Sequence, residues 1–250
     1  MDFIASLDIV RWIALVFAAV LTGLTKAGLE GGTLIAVPIL ATLFGARASS
    51  GVLLGILMTA DVVAVWNYRK DVSVKHLART LPFAMAGILL GALVGGSIPD
   101  RVFRTVMASF ILISAVLMAI RELRGGLFLL PEKWWASAPL GLLGGFSSMV
   151  GNAGGPIMGL YLLSSGLGKG KLVGTSVYLF FLFNLTKLPF HIFAWKTFTT
   201  GTLMADLIVL PVTLAATFIG VRLVRRIPEK PYRVFLIGMA GVAGLYLGLK

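Results

Sequence analysis

Five ionisable residues, Lys26, Glu30, Asp61, Lys187 and Asp206, stand inside otherwise apolar runs of this chain. At the centre of a membrane each costs at least about 3 kcal/mol on insertion scales, so each calls for a partner, water or a task. Lys26 just before the run "GLEGGT" (28–33) and Glu30 within it either pair across the turn or serve substrate or proton work. Lys187 follows Asn184 by three residues, on the same helical face, where an ammonium and an amide can receive an anion. The structural alternative is a Lys187 that snorkels or pairs with Asp61. Asp61, Glu30 and His191 are the candidates to carry a coupled proton, whereas Asp206, close to a segment start, reads as interfacial.

A second kind of chemistry resides in the backbone. "GNAGGP" (151–156) and "GLEGGT" (28–33) interrupt apolar runs with poor helix formers. A helix that begins inside a membrane exposes unpaired N–H groups that lipid cannot satisfy, and an anion is a natural partner for them. Glycine lets a ligand approach the backbone, proline suits the first helical position, and the helix start carries partial positive charge. The expected substrate-binding set is therefore Gly31, Gly32, Thr33 and Lys26 from one element. From the other come Ser148, Asn152, Gly154, Gly155 and Pro156, joined by Asn184 and Lys187. No catalytic residue, metal or cofactor is expected. For other glycines, such as Gly23, Gly91, Gly220 and Gly238, close helix packing is explanation enough.

The elements that must position these residues are hydrophobic segments. The chain is 58% hydrophobic and 13% charged, with a mean hydropathy of +0.97, outside the range of soluble domains. This composition implies a polytopic membrane protein, all-α, folded as a single transmembrane domain over 1–250. The acidic start, Asp2 and Asp8, lacks the basic region of a signal peptide, so the first segment is expected to be retained. The absence of cysteine excludes disulfides and thiolate metal sites, and two histidines cannot supply an imidazole cluster. A net charge of +12 sets topology here and does not point to nucleic acid. The expected partners are the lipid bilayer and a small anionic substrate; a homodimer suits so small a domain.

Breakers divide the chain into segments at about 9–27, 31–45, 49–67, 77–98, 103–121, 136–150, 155–168, 174–195, 203–225 and 231–249. The second, sixth and seventh are too short to cross a roughly 30 Å hydrocarbon core as plain helices. The halves, about 9–121 and 136–249, repeat each other. An offset of 123 pairs Gly28 with Gly151, Gly32 with Gly155, Gly51 with Gly174 and Asp61 with Asn184. After a six-residue insertion an offset of 129 pairs Pro82 with Pro211, Gly91 with Gly220 and "SIPDRVFR" with "RIPEKPYR".

If alternate loops share a side, the loop Lys and Arg divide 14 to 6, with Lys26 and Lys187 inside segments. The richer side is then cytoplasmic and both termini are outside. Five segments per half make the repeats inverted, with short broken or re-entrant helices meeting near the midplane, a recurring plan of secondary transporters.

These elements resemble the TauE/SafE sulfite-exporter family of bacterial membrane transporters. The resemblance rests on "GLTKAGLEGGTLIAVPIL", "GLLGGFSSMVGNAGGPIMGLYLL" and "GTSVYLFFLFNLTKLPFH", and extends over essentially the whole chain. It implies movement of a small anion, sulfite or a related organosulfur, oxyanion or carboxylate species, across a bacterial cytoplasmic membrane. Glu30 departs from an anion-friendly pattern. The resulting expectation is a secondary transporter working by alternating access with proton coupling; a passive anion channel is the nearer rival and a membrane-embedded enzyme the remoter one.

Overall fold

The computed structural model describes residues 2–26, 32–124 and 134–223, with isolated helical positions between 238 and 249. Glu30, Gly31 and most of the tenth expected segment lie outside the described residues. Those residues form helices joined by short turns. A four-residue α1 (Asp2–Ala5) precedes α2 (Ile9–Lys26), α3 (Thr33–Phe44), α4 (Ala46–Asn67), α5 (Val74–Ser97) and α6 (Asp100–Leu123). There follow α7 (Trp134–Gly151), α8 (Gly154–Ser164), α9 (Lys169–Pro189) with a π-helical turn at Phe190–Ala194, and α10 (Thr200–Leu223). Six helices, α2, α4, α5, α6, α9 and α10, are long and apolar enough to cross a membrane. Large side chains on their outer faces, such as Ile13, Leu93, Ile113 and Leu207, are exposed as a lipid-facing surface requires.

The breaks have local causes. Gly45 takes φ +89°, which costs a side-chain-bearing residue more, and there α3 stops and α4 begins. The Asp100 carboxylate accepts hydrogen bonds from the backbone N–H groups of Ala46 (3.4 Å) and Arg47 (3.1 Å), so the exposed start of α4 is capped from the start of α6. Pro189 fixes φ and removes a donor near the end of α9, and the ladder widens beyond it, with Trp195 N–H donating to Phe190 O at 2.8 Å.

At 12 and 11 residues, α3 and α8 reach only about 18 and 16 Å at 1.5 Å per residue, well short of a membrane. The sixth segment is longer than its sequence suggests: α7 has 18 residues, because its helix continues over Trp134–Trp135 and through to Gly151. Each short helix folds back on a longer one, α3 on α2 and α8 on α7. Glycine permits both returns. A Cβ on Gly32 would collide with Thr25, and one on Gly154 would sit 2.6 Å from the Gly144 carbonyl oxygen.

These hairpins open toward opposite ends of the molecule. Gly201 lies against Phe3, Arg11 donates to Leu43 O (3.4 Å), and Arg47 donates to Ile98 O, gathering the outer ends of α2, α3, α4, α5 and α10. At the other end the Ser73 N–H donates to Thr175 Oγ1 (2.9 Å) and Gly141 packs on Thr80, gathering the ends of α4, α5, α7 and α9. Between the ends, α5 is clamped to α7 and α10 to α2 through glycines that leave no room for a methyl group. Gly145 meets the Ala84 carbonyl, Gly87 meets Leu142, and Gly23 meets Ala216 and Thr217. Small residues at crossings are how membrane helices maximise dispersion contact in the absence of a hydrophobic drive.

Candidate functional site

The end of α2, the start of α3 and the turn between α7 and α8 face a cavity of about 90 Å³. From the first hairpin come Thr25 and Lys26 at the end of α2 and Thr33 at the start of α3; from the second come Ser148, Asn152 and Gly155. Leu57 of α4 and a stripe of α9 complete the wall. A single buried water needs roughly 10–15 Å³ by this measure, so the space suits a small polyatomic ion rather than a nucleotide or lipid.

The polar side chains are ordered by two constellations. In the first, Asp61 is fully buried and held from both sides. Lys26 Nζ stands 2.6 Å from Oδ1, and Asn184 Nδ2 donates to Oδ2 at 2.6 Å. Lys26 also lies over the Phe180 ring, 5.3 Å from its centroid, so its cation has a second favourable contact. Asp61 and Asn184 are the residues that the 123-position offset equates, and here they touch.

In the second constellation Lys187, only 1% exposed, reaches from α9 into the turn between α7 and α8. Its Nζ donates to Asn152 Oδ1 (2.7 Å), Ser148 O (3.3 Å) and Ser148 Oγ (3.3 Å). Asn152 takes φ +50°, a left-handed conformation that asparagine tolerates better than most residues, and so ends α7 and turns its side chain to Lys187. With Oδ1 engaged by Lys187, Asn152 Nδ2 is a buried donor with no hydrogen-bond partner among the described residues. One residue beyond the turn, Gly155 has none of the described residues within 4 Å of where a Cβ would be. The first N–H groups of α8 lack intrahelical partners, as at any helix start.

Of the residues singled out in the sequence, Lys26, Thr33, Ser148, Asn152, Gly155, Asn184 and Lys187 line this cavity, and Asp61 abuts it through Lys26 and Asn184. Gly32 and Gly154 are not lining residues; they bring each short helix against its hairpin partner. Pro156 is buried at the second position after the start of α8 and does not line the space. His191 lies in the π-helical turn, donating to or accepting from Thr197 Oγ1 at 2.7 Å and edge-on to Trp195, and is not brought to the cavity. Asp206, near the start of α10, is 5% exposed and lies against Gly55 of α4.

The α9 wall goes beyond the sequence-level set. Leu172, Val173, Ser176, Val177 and Phe180 precede Asn184 and Lys187 on the same face. Counting back from Asn184 in steps of three and four reaches Phe180, Val177, Ser176 and Val173, so helical periodicity was the available signal.

The fold and cavity can be compared with known families. A family model described as "Sulfite exporter TauE/SafE" matches residues 14–247. The chain belongs to this family. No curated protein matches it. The TauE/SafE match takes in α3, α4, α7, α8, α9 and α2 from residue 14 onward, and therefore every described lining residue of the cavity. Membership in a family of sulfite exporters, with six helices among the described residues long and apolar enough to cross a membrane, makes this a multi-pass membrane protein of a transporter family.

Proposed function

We propose that this TauE/SafE protein is a secondary transporter of a small anion, sulfite or a related organosulfur, oxyanion or carboxylate species, bound in the cavity between the two hairpin tips. The observation that carries the reading is the free donor of Asn152 beside Lys187, at the start of α8 and facing Lys26 across the cavity. Two lysines, an unpartnered amide N–H and a helix start converge on one small space. Together they offer charge-assisted hydrogen bonds to an oxyanion whose desolvation would otherwise be prohibitive. When the anion enters, Lys187 and Asn152 exchange their mutual bond for bonds to it, and Lys26 is drawn from Asp61.

Alternating access is supported by the way the halves interlock. The 123 offset equates α2–α3 with α7–α8 and α4 with α9, while the 129 offset equates α5 with α10. In the fold α5 packs on α7 and α10 on α2, each helix clasping the hairpin of the other half. Gly51 lies on the Thr197 carbonyl and Gly174, its equivalent, on the Asp71 carbonyl. This contact pattern supports the reading of inverted-topology repeats, in which rocking of one repeat against the other exposes the cavity to either side. The basic loops support a reading in which the Arg69–Lys75 end faces the cytoplasm of a bacterial inner membrane. Movement against a gradient is coupled to protons; a passive channel would show no concentrative flux.

The test is flux of radiolabelled sulfite into proteoliposomes by the wild type, Lys187→Met and Asn152→Asp. The aspartate preserves side-chain shape but replaces the free donor with an acceptor. Both variants should lose at least about tenfold in apparent affinity, equivalent to about 1.4 kcal/mol. Equal affinity in all three proteins would remove the anion site from this cavity.

A further inference from the structure

Asp206 has no role in the anion cavity, yet its setting is unusual for a carboxylate. Leu203, Met204, Leu207 and Ile208 around it on α10 are exposed toward lipid, whereas Asp206 turns inward with Ala205 and Val209 and is only 5% exposed. Neither carboxylate oxygen has a hydrogen-bond partner among the described residues. It rests on the backbone of α4 at Gly55, where a Cβ would run into the carboxylate. Among the described residues, α10 packs on α1, α2 and α4.

The ionisable residues of those helices are accounted for. On α2, Arg11 is bonded to Asp8, Ser6 O and Leu43 O, and Lys26 is paired with Asp61. On α4, Arg47 is bonded to Ile98 O and packed on Phe103, and Asp61 is held by Lys26 and Asn184. On α1 the ionisable residue is Asp2, of the same sign as Asp206. Lys196, in the turn before α10, is exposed, and Arg222 lies in the last turn of α10, far along the helix.

We propose that Asp206 is a proton-binding site of the transporter, separate from the anion cavity, which holds a proton while α10 lies against Gly55 and gives it up when the two helices part. A carboxylate with two unpartnered oxygens in an apolar contact is tolerated there as the neutral acid. Gly55 allows the approach, so the same contact that excludes water also keeps the proton. When α10 moves away from α4, water reaches the carboxyl group, the O–H bond breaks and the proton leaves to water with the carboxylate hydrated. Because α4 also bears Asp61, nine residues from its start to Gly55 and six more to the cavity pair, proton release is tied to the helix that bounds the anion site. Coupling to transport rests on the proposed anion function; proton binding itself does not.

The experiment therefore has two readouts on the full-length protein in lipid. Infrared difference spectra across a pH titration should show the C=O band of a protonated, deuterium-exchangeable carboxylic acid in the wild type and lose it in Asp206→Asn. An Asp61→Asn variant should retain it. In dye-loaded proteoliposomes driven by a sulfite gradient, Asp206→Asn should keep sulfite–sulfite exchange but lose sulfite-driven proton movement. An unchanged infrared band in Asp206→Asn overturns the site, and wild-type proton movement in that variant overturns the coupling. If the wild type moves no sulfite, the anion reading fails and the infrared band alone decides Asp206. Gly55→Ala, which presses on the carboxyl, should shift the titration of the same band; no shift would count against the α4 contact as the device that holds the proton.

Discussion

At the scale of single residues the cavity is organised by one buried charge pair. Lys26 and Asp61 lie 2.6 Å apart, with Asp61 fully enclosed and supported by Asn184. Removing one partner of such a pair leaves the other charge buried and costs about 3–5 kcal/mol, while removing both costs far less. Lys26→Met should therefore lower thermal stability in detergent steeply, and Lys26→Met/Asp61→Asn should recover much of the loss. Equal melting temperatures for the single and double variants would mean that the pair is not energetically coupled. Part of this was legible in the sequence. Asp61 and Asn184 are found as equivalents by the 123 offset alone, and intramembrane ionisable residues draw notice by cost. The pairing of Asp61 with Lys26, rather than Lys187, was not legible, because it depends on where the α2 tip stops relative to α4. Asp206 likewise reads as interfacial from its place near a segment start; only the packing of α10 on α4 reveals that it faces protein.

At the scale of elements, glycines that look alike in the sequence divide into three physical roles. Gly155 opens onto the cavity; Gly32 and Gly154 close the hairpins; Gly87 and Gly145 fasten α5 to α7. The sequence signals a paired motif, but whether a Cα faces a neighbouring carbonyl or empty space is a tertiary property that composition and spacing do not carry. The distinction makes a paired prediction. Gly145→Ala forces a methyl group against the Ala84 carbonyl and should destabilise the protein by about 1–3 kcal/mol, read as a lower detergent melting temperature. Gly155→Ala should leave that temperature unchanged while lowering sulfite flux, because its methyl occupies ligand space. The reverse pattern, a stable Gly145→Ala and a destabilised Gly155→Ala, would refute the assignment of roles.

At the scale of the whole molecule, orientation follows from charge and from the opposed hairpins taken together. The segment plan was legible because apolar runs and breakers repeat at readable intervals; Ile9–Lys26, Ala46–Asn67 and Asp100–Leu123 fall within a few residues of where hydropathy places them. The swapped packing of α5 on α7 and α10 on α2 was not, since it arises from close glycine contacts between halves far apart in the chain. That packing fixes which turns share an end. Ser97, the last residue of α5, lies at the same end as the starts of α4 and α10, and Lys70, after α4, lies at the other; both are exposed. The Lys70 end carries Arg69, Lys75, Arg79, Arg124 and Lys171, whereas the Ser97 end carries fewer basic residues, so Lys70 should face the cytoplasm. The natural absence of cysteine allows a direct check with single substitutions. A membrane-impermeant maleimide should label Ser97→Cys in intact spheroplasts and Lys70→Cys only after lysis. Labelling of Lys70→Cys in intact cells would invert the assignment. Labelling of both would break the rule that consecutive spanning helices exchange sides, and with it the opposed hairpins on which the proposed alternating access depends.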